Sequence, residues 1–275
     1  PNVKSTPNST FCKVINMPHP QNPTAAIIVI GDEILSGRTK DKNIGWLAVN
    51  LSAQGIQLVE ARVIADNRQV IIDTVQNLSG AYDLVFTSGG IGPTHDDITT
   101  EAVAAAFDVP VIRHPEAERR LLAHYANTDL EFNAARQKMA DIPKTAELID
   151  NPLSAAPGFI LGNVHVLPGV PSILQAMYEG LRSRLPGGVV MTRITVQCAT
   201  GEGNIATILA AVESRYDGTS IGSYPWFKPG QFGTAVVVSG LDAETIQKAA
   251  KDVETEVSQL GVDAAIVEAD GAPVS

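Results

Sequence analysis

Cysteine is scarce in this chain, with two among 275 residues. Cys12 and Cys198 lie far apart and form no CxxC pair, so neither a disulfide-built secreted scaffold nor a thiolate metal site is expected, and the cytoplasm is the default compartment. Positive charge is also in deficit. Twenty Lys and Arg stand against thirty Asp and Glu, a formal charge of -10, which argues against a nucleic-acid surface or a patch for anionic membranes. Any phosphate-bearing ligand must then be met by a local device. No apolar run approaches the ~18 residues of a spanning helix, and Pro1 to Pro23 lack the apolar core and cleavage site of a secretory signal. The histidines make no HxH or HxxxH spacing, which leaves no zinc motif. There is no GxSxG elbow, no Walker A loop and no GxGxxG fingerprint, so a serine-hydrolase, P-loop or dinucleotide site is not supported. Aromatics are few, and their densest stretch, Tyr224 to Lys228, reads as core and interface in preference to an exposed binding edge.

What is present is an alternation of apolar strands and amphipathic helices. Residues 1–24, rich in Pro and Asn and without an acid, read as a flexible arm that cannot bury enough to fold alone. Ala25 to Ile30 is wholly apolar and ends at Gly31, the pattern of a strand buried on both faces of a parallel sheet. Ile44, Leu47, Ala48 and Leu51 repeat at helical spacing, Leu58 to Ile64 reads as a second strand, Val70 to Leu78 as a helix, and Leu84 to Thr87 as a third strand. Helices follow at Thr99 to Phe107, Glu116 to Ala126 and Glu131 to Ala140. A hairpin is expected over Phe159 to Leu167 around Gly162-Asn163, then a helix from Ser172 to Leu185. Repeated strand-helix units make an α/β fold with a mostly parallel sheet the natural solution. Pro186-Gly187-Gly188 marks a boundary, giving domains over 25–186 and 187–275. The second has the β-α-β-β-α order of a small split α/β domain, ferredoxin-like or KH-like. With five basic against eleven acidic residues in 187–275, it lacks the charge to hold RNA.

Three segments carry candidate chemistry. Gly31-Asp32-Glu33-Ile34-Leu35-Ser36-Gly37 follows the first strand, where open parallel sheets bind ligands. Its acids also read as a solvated turn. Ser88-Gly89-Gly90-Ile91-Gly92-Pro93-Thr94-His95-Asp96-Asp97 follows the third strand. Its glycines allow positive φ and present backbone N–H groups as an anion nest, with hydroxyls from Ser88 and Thr94. Asp96 and Asp97 beside a phosphate site imply a hard cation as well, although Asp97 also reads as a helix cap. The third segment, Pro168-Gly169-Val170-Pro171, is either a ligand wall or a helix start.

These segments, together with Asn43, Trp46-Leu47, Asn133, Arg136-Gln137 and Asn151-Pro152, resemble the molybdopterin-binding domain family, in its CinA-like branch related to competence/damage-inducible protein A. The resemblance spans about residues 25–240. It implies a three-layer α/β/α domain in which the three segments border one pocket for a phosphate-bearing pterin or nucleotide, followed by a small second domain. Gly31, Ser36, Gly37, Ser88, Gly89, Gly90, Gly92, Pro93, Thr94, Pro168, Gly169, Val170 and Pro171 become the candidate ligand contacts. Some CinA-like members cleave ADP-ribose to AMP and ribose 5-phosphate with a divalent cation, Mg2+, Mn2+ or Co2+. In that reading Asp32, Asp96 and Asp97 hold the metal, and Glu33 or a nearby acid positions water. The alternatives are a non-catalytic pterin or nucleotide binder, and molybdopterin adenylylation. Eukaryotic FAD synthase carries a related domain, so the fold does not choose among ligands. Longer relatives continue into a nicotinamide-nucleotide deamidase domain, and that activity is not expected here. The family's habit of self-association implies a homo-oligomer, two copies favoured over three.

Overall fold

The computed structural model describes residues 22–267. The arm expected over 1–24 therefore lies outside the described residues, apart from its last three. Two compact units follow, Asn22–Met191 and the described residues from Thr192 onward.

The first unit contains β1 (Thr24–Ile30), α1 (Asp32–Leu35), α2 (Asn43–Ser52), β2 (Gln57–Ile64), α3 (Arg68–Ser79), β3 (Leu84–Ser88) and α4 (Thr99–Ala106). It continues through β4 (Val111–Arg113), α5 (Pro115–Tyr125), α6 (Ala134–Lys138), β5 (Asp141–Pro143), β6 (Glu147–Ile149), β7 (Gly158–Leu161), β8 (Val164–Leu167) and α7 (Pro171–Leu181). Its main sheet has the order β2-β1-β3-β8-β7-β6. The first four strands run parallel, and the β7–β8 hairpin reverses direction.

The apolar run of β1 explains the three layers. Ala26, Ile28 and Ile30 pack on one face with Ile71 and Val75 of α3, Val103 of α4 and Leu121 of α5. Ala25, Ile27 and Val29 pack on the other with Leu47 and Leu51 of α2 and Leu174 and Tyr178 of α7. Burying both faces needs a continuous hydrophobic strand, which is why β1 shows no alternation. The fold is thus α/β, with helices on both sides of a mostly parallel sheet.

Several expectations change in detail. The loop expected from Gly31 holds the single turn α1, and the sixth helix shrinks to α6, begun where the Asn133 side chain accepts the Arg136 N–H at 3.1 Å. The strand expected from Val189 starts only at Thr192. Val189 is instead held by Asn22, whose amide donates to its carbonyl at 2.9 Å and accepts its N–H at 2.8 Å.

The second unit consists of β9 (Thr192–Cys198), α8 (Ala206–Arg215), β10 (Thr219–Lys228), β11 (Gln231–Gly240), α9 (Ala243–Ser258) and β12 (Ala264–Val267). Its sheet is antiparallel in the order β10-β11-β9-β12, the split βαβ arrangement of a ferredoxin-like domain. Cys198 is buried in its core, and burial pushes the thiol up to about 11, the state of an inert structural cysteine. The aromatic stretch is corrected. Tyr224 is 56% exposed and Phe227 81% exposed on the β10–β11 hairpin, so neither belongs to the core. Among the described residues no helix is long and apolar enough to cross a membrane.

Phe86, fully buried on β3, stacks on His165 with ring centroids 4.9 Å apart and lies 6.5 Å from the Tyr178 ring. A Phe86→Ala substitution is expected to destabilise the first unit by ~3–5 kcal/mol. The midpoint of its urea unfolding measures this.

Candidate functional site

Because β1, β3 and β8 are parallel neighbours, their carboxyl ends open on the same edge of the sheet. The three candidate segments follow these ends, and the backbone there is too close for side chains. Gly89 has φ of 115°, and a Cβ on it would lie 2.2 Å from the Ile30 carbonyl oxygen. A Cβ on Gly169 would stand 3.4 Å from the Gly89 Cα. Glycine at 89 is therefore required both by conformation and by space.

Beside this junction is a cleft of about 60 Å³, lined by Ile30, Glu33, Lys40, Lys42, Asn43, Ser88, Gly169 and Pro171 among others. At its floor Asn43 is 3% exposed. Its amide nitrogen donates to Ser88 Oγ at 2.7 Å and to the Gly169 carbonyl at 2.9 Å. The Gly169 oxygen can only accept, so the amide orientation is fixed by its partner. Asn43 Oδ1 is then left buried without a protein donor, as are the hydroxyls of Thr87 and Thr99 nearby in sequence. A buried acceptor without a partner costs roughly 1–3 kcal/mol, which a ligand N–H or O–H would relieve.

The acids are arranged differently from the expectation. Asp97 turns inward, where its Oδ2 accepts the Thr94 N–H at 2.8 Å and the Thr94 hydroxyl at 2.5 Å. It neither caps α4, whose cap position is Ile98, nor faces the cleft. With Gly92 it lines a separate cavity of about 20 Å³ beside Glu101 and Lys138. Lys138 Nζ donates to the carbonyls of Thr94 at 3.1 Å and Asp97 at 2.8 Å, latching the loop. Pro93, Thr94 and Asp96 are exposed. The Thr94 hydroxyl also holds the Asp96 carboxyl below its ordinary range.

Asp32 is exposed, and its N–H is taken at 2.8 Å by Asp66 Oδ2, two residues beyond β2. Burial raises the Asp66 carboxyl, with further contributions from the charges of Asp32, Glu33 and Asp96. Among the described residues no group of three His, Cys, Asp or Glu side chains is arranged to hold a metal ion. The set Asp32, Asp96 and Asp97 is therefore not a resident metal centre as it stands.

The anion nest is also smaller than expected. The Gly89 N–H is spent on the Leu167 carbonyl at 3.1 Å, and that of Thr94 on Asp97. Gly90, at φ 69°, continues the loop toward Ile91 and Gly92. Glu33 folds over Gly31, where an added Cβ would meet its carboxylate oxygens at 2.6 Å. Ser36 bonds back to the Glu33 carbonyl at 3.3 Å, and Gly37 occupies an exposed turn at φ 73°. Neither lines the cleft. In the third segment Gly169 and Pro171 line it, whereas Pro168 and the 52% exposed Val170 do not.

Motif reading singled out neither Lys40, Lys42, Asp66 nor Lys138, and met Asn43 only through the resemblance. Asp66 had a usable signal, since it follows a strand of the same parallel sheet. Lys138 had none, because it reaches the loop only through tertiary packing.

A carboxyl raised in the folded state makes ionisation a cost to folding, absent below the ordinary value of 3.8 and fully present above the raised one. Asp66→Asn keeps an oxygen for the Asp32 N–H and removes that cost. The variant is expected to melt higher than the parent at neutral pH, with the difference vanishing below 3.8. Thermal midpoints at the two pH values decide it.

Comparison with known proteins agrees with this architecture. The model of the probable molybdopterin binding domain matches residues 26–186, and that of the FAD synthase middle domain matches residues 190–265. A protein of Archaeoglobus fulgidus is 33% identical over 228 residues, covering 83% of this chain and 95% of its own. A CinA-like protein of Parasynechococcus marenigrum is 30% identical over 84% of this chain, which spans only 57% of that relative. The solved structure of a CinA protein with unknown function from Thermoplasma acidophilum is 32% identical with a TM-score of 0.55, over 59% of this chain and 98% of that one. With its first unit matched nearly end to end and CinA-like proteins among its relatives, the chain belongs to the molybdopterin-binding domain family.

Proposed function

We propose that the cleft at the ends of β1, β3 and β8 binds a phosphate-bearing pterin or nucleotide. The observation that carries this reading is the buried, unpartnered Asn43 Oδ1, in a cleft that also presents Lys40 and Lys42. The acceptor calls for a ligand N–H or O–H, which a pterin, a base or a ribose supplies. The lysines call for an anion. One small molecule carrying both groups satisfies the site, and the names of the related domains point the same way.

A second, finer reading is hydrolysis of ADP-ribose at its pyrophosphate. It is favoured by the mutually facing acids Asp32, Glu33, Asp66 and Asp96, which repel a bare phosphate. Mg2+ is commonly bound by one or two carboxylates together with substrate phosphates, so in this reading Mg2+, Mn2+ or Co2+ enters with the ligand. The acids then orient water near the phosphoanhydride, while the Gly90 to Gly92 backbone faces the phosphoryl oxygens. Water adds to one phosphorus, the bridging oxygen leaves with the other, and AMP and ribose 5-phosphate result.

Calorimetric titration with ADP-ribose in Mg2+, followed by chromatography of the mixture, separates the readings. Heat with AMP and ribose 5-phosphate supports the hydrolase, and heat with intact ligand supports a binder or sensor. Neither result would move the search to molybdopterin and flavin nucleotides. The double substitution Lys40→Ala, Lys42→Ala is expected to weaken binding about tenfold or more, since hydrogen bonds to charged groups contribute ~1.5–3 kcal/mol. Unchanged affinity would remove the lysines from the phosphate site.

A further inference from the structure

Strand β2 stands at the open margin of the main sheet. Long edge strands are normally guarded by lysine, proline or a short length. β2 runs for eight residues with neither lysine nor proline. Its one irregularity is a break in register against β1, where Leu58 and Glu60 face consecutive residues and Val59 is passed over.

The run at its centre is Val59-Glu60-Ala61-Arg62-Val63. Reversed about Ala61, this run places valine on valine and acid on base. A second copy laid antiparallel, Ala61 beside Ala61, sets Glu60 opposite Arg62 on both sides of the axis and Val59 opposite Val63. Parallel in-register pairing does the reverse, putting Glu60 on Glu60 and Arg62 on Arg62, which is unfavourable. The strand therefore selects one direction and one register.

The faces of β2 are sorted in the same sense. Glu60 and Arg62 pair with Ala26 and Ile28 of β1, whose side chains belong to the α3 face, while Ala61 and Val63 pair with Ile27 and Val29, which belong to the α2 face. On the first face Arg62 Nε donates to Glu60 at 2.6 Å and its guanidinium to Asn77 at 2.8 Å, while the Tyr82 hydroxyl donates to Glu60 at 2.7 Å. Both charges are thus already ordered near the edge. On the second face Ala61 is exposed and Val63 is 37% exposed, and Val59 is 51% exposed.

We propose that β2 is the docking edge for a second copy of this chain, joining two main sheets across a twofold axis through reciprocal Glu60–Arg62 pairs. Such an isologous contact uses up both edges and closes at two copies.

Sedimentation equilibrium of the full chain at micromolar concentration, with the variants Glu60→Arg and Arg62→Glu, tests this. The parent is expected at twice the 29.0 kDa of one chain. Each variant alone opposes like charges and is expected at the mass of one chain. An equimolar mixture sets the two basic side chains of one variant against the two acidic side chains of the other, and is expected to return to two chains. Val63→Lys, which leaves the Glu60–Arg62 pair untouched, is expected to lose the dimer with its circular dichroism unchanged. A parent of one or three chains would overturn the proposal. So would single variants that stay dimeric, a mixture that stays monomeric, or a Val63→Lys dimer.

Discussion

The site rests on the contact of the Gly89 backbone with the Ile30 carbonyl. Parallel strands β1 and β3 end side by side, and the chain leaving β3 must turn against the end of β1 before α4 can begin. A methyl group at 89 would stand 2.2 Å from that oxygen. With glycine there, the loop lies flat, Gly169 closes over it, and Asn43 bridges Ser88 and Gly169 beneath. The apolar run of β1 supplies the rigid floor, since both of its faces are pinned by helices.

Electrostatics work against this floor as well as for it. Asp32, Glu33, Asp66 and Asp96 face one another in an acidic protein, while Lys40 and Lys42 approach from the segment before α2. Asp97 and Lys138 belong to neither group. They fold the exposed Pro93 to Asp96 tip into a fixed shape, one through its side chain and the other through the carbonyls it receives.

Much of the fold was legible because its signals are local. A strand buried on both faces is written as an unbroken apolar run, and a helix on a sheet as a repeat of Ile44, Leu47 and Leu51. The short strands β4, β5 and β6, of three residues each, carry no period long enough to read. For the site, glycines and acids identified the right loops, and parallel topology brought them to one edge. What the sequence could not express was direction. Asp96 and Asp97 are neighbours in the chain, yet one is exposed and the other is consumed inside its own turn. Asn43 became informative only once its amide was seen to be fully used and its oxygen left over.

The reciprocal amide pair between Asn22 and Val189 has a consequence for how this fold is inherited. The chain enters and leaves the first unit at one spot, held by two hydrogen bonds of 2.9 and 2.8 Å. A body whose ends meet in this way is a cassette. Neighbouring sequence can be spliced before it or after it without parting a strand of its sheet, so recombination can shuffle the whole unit while its interior remains undisturbed.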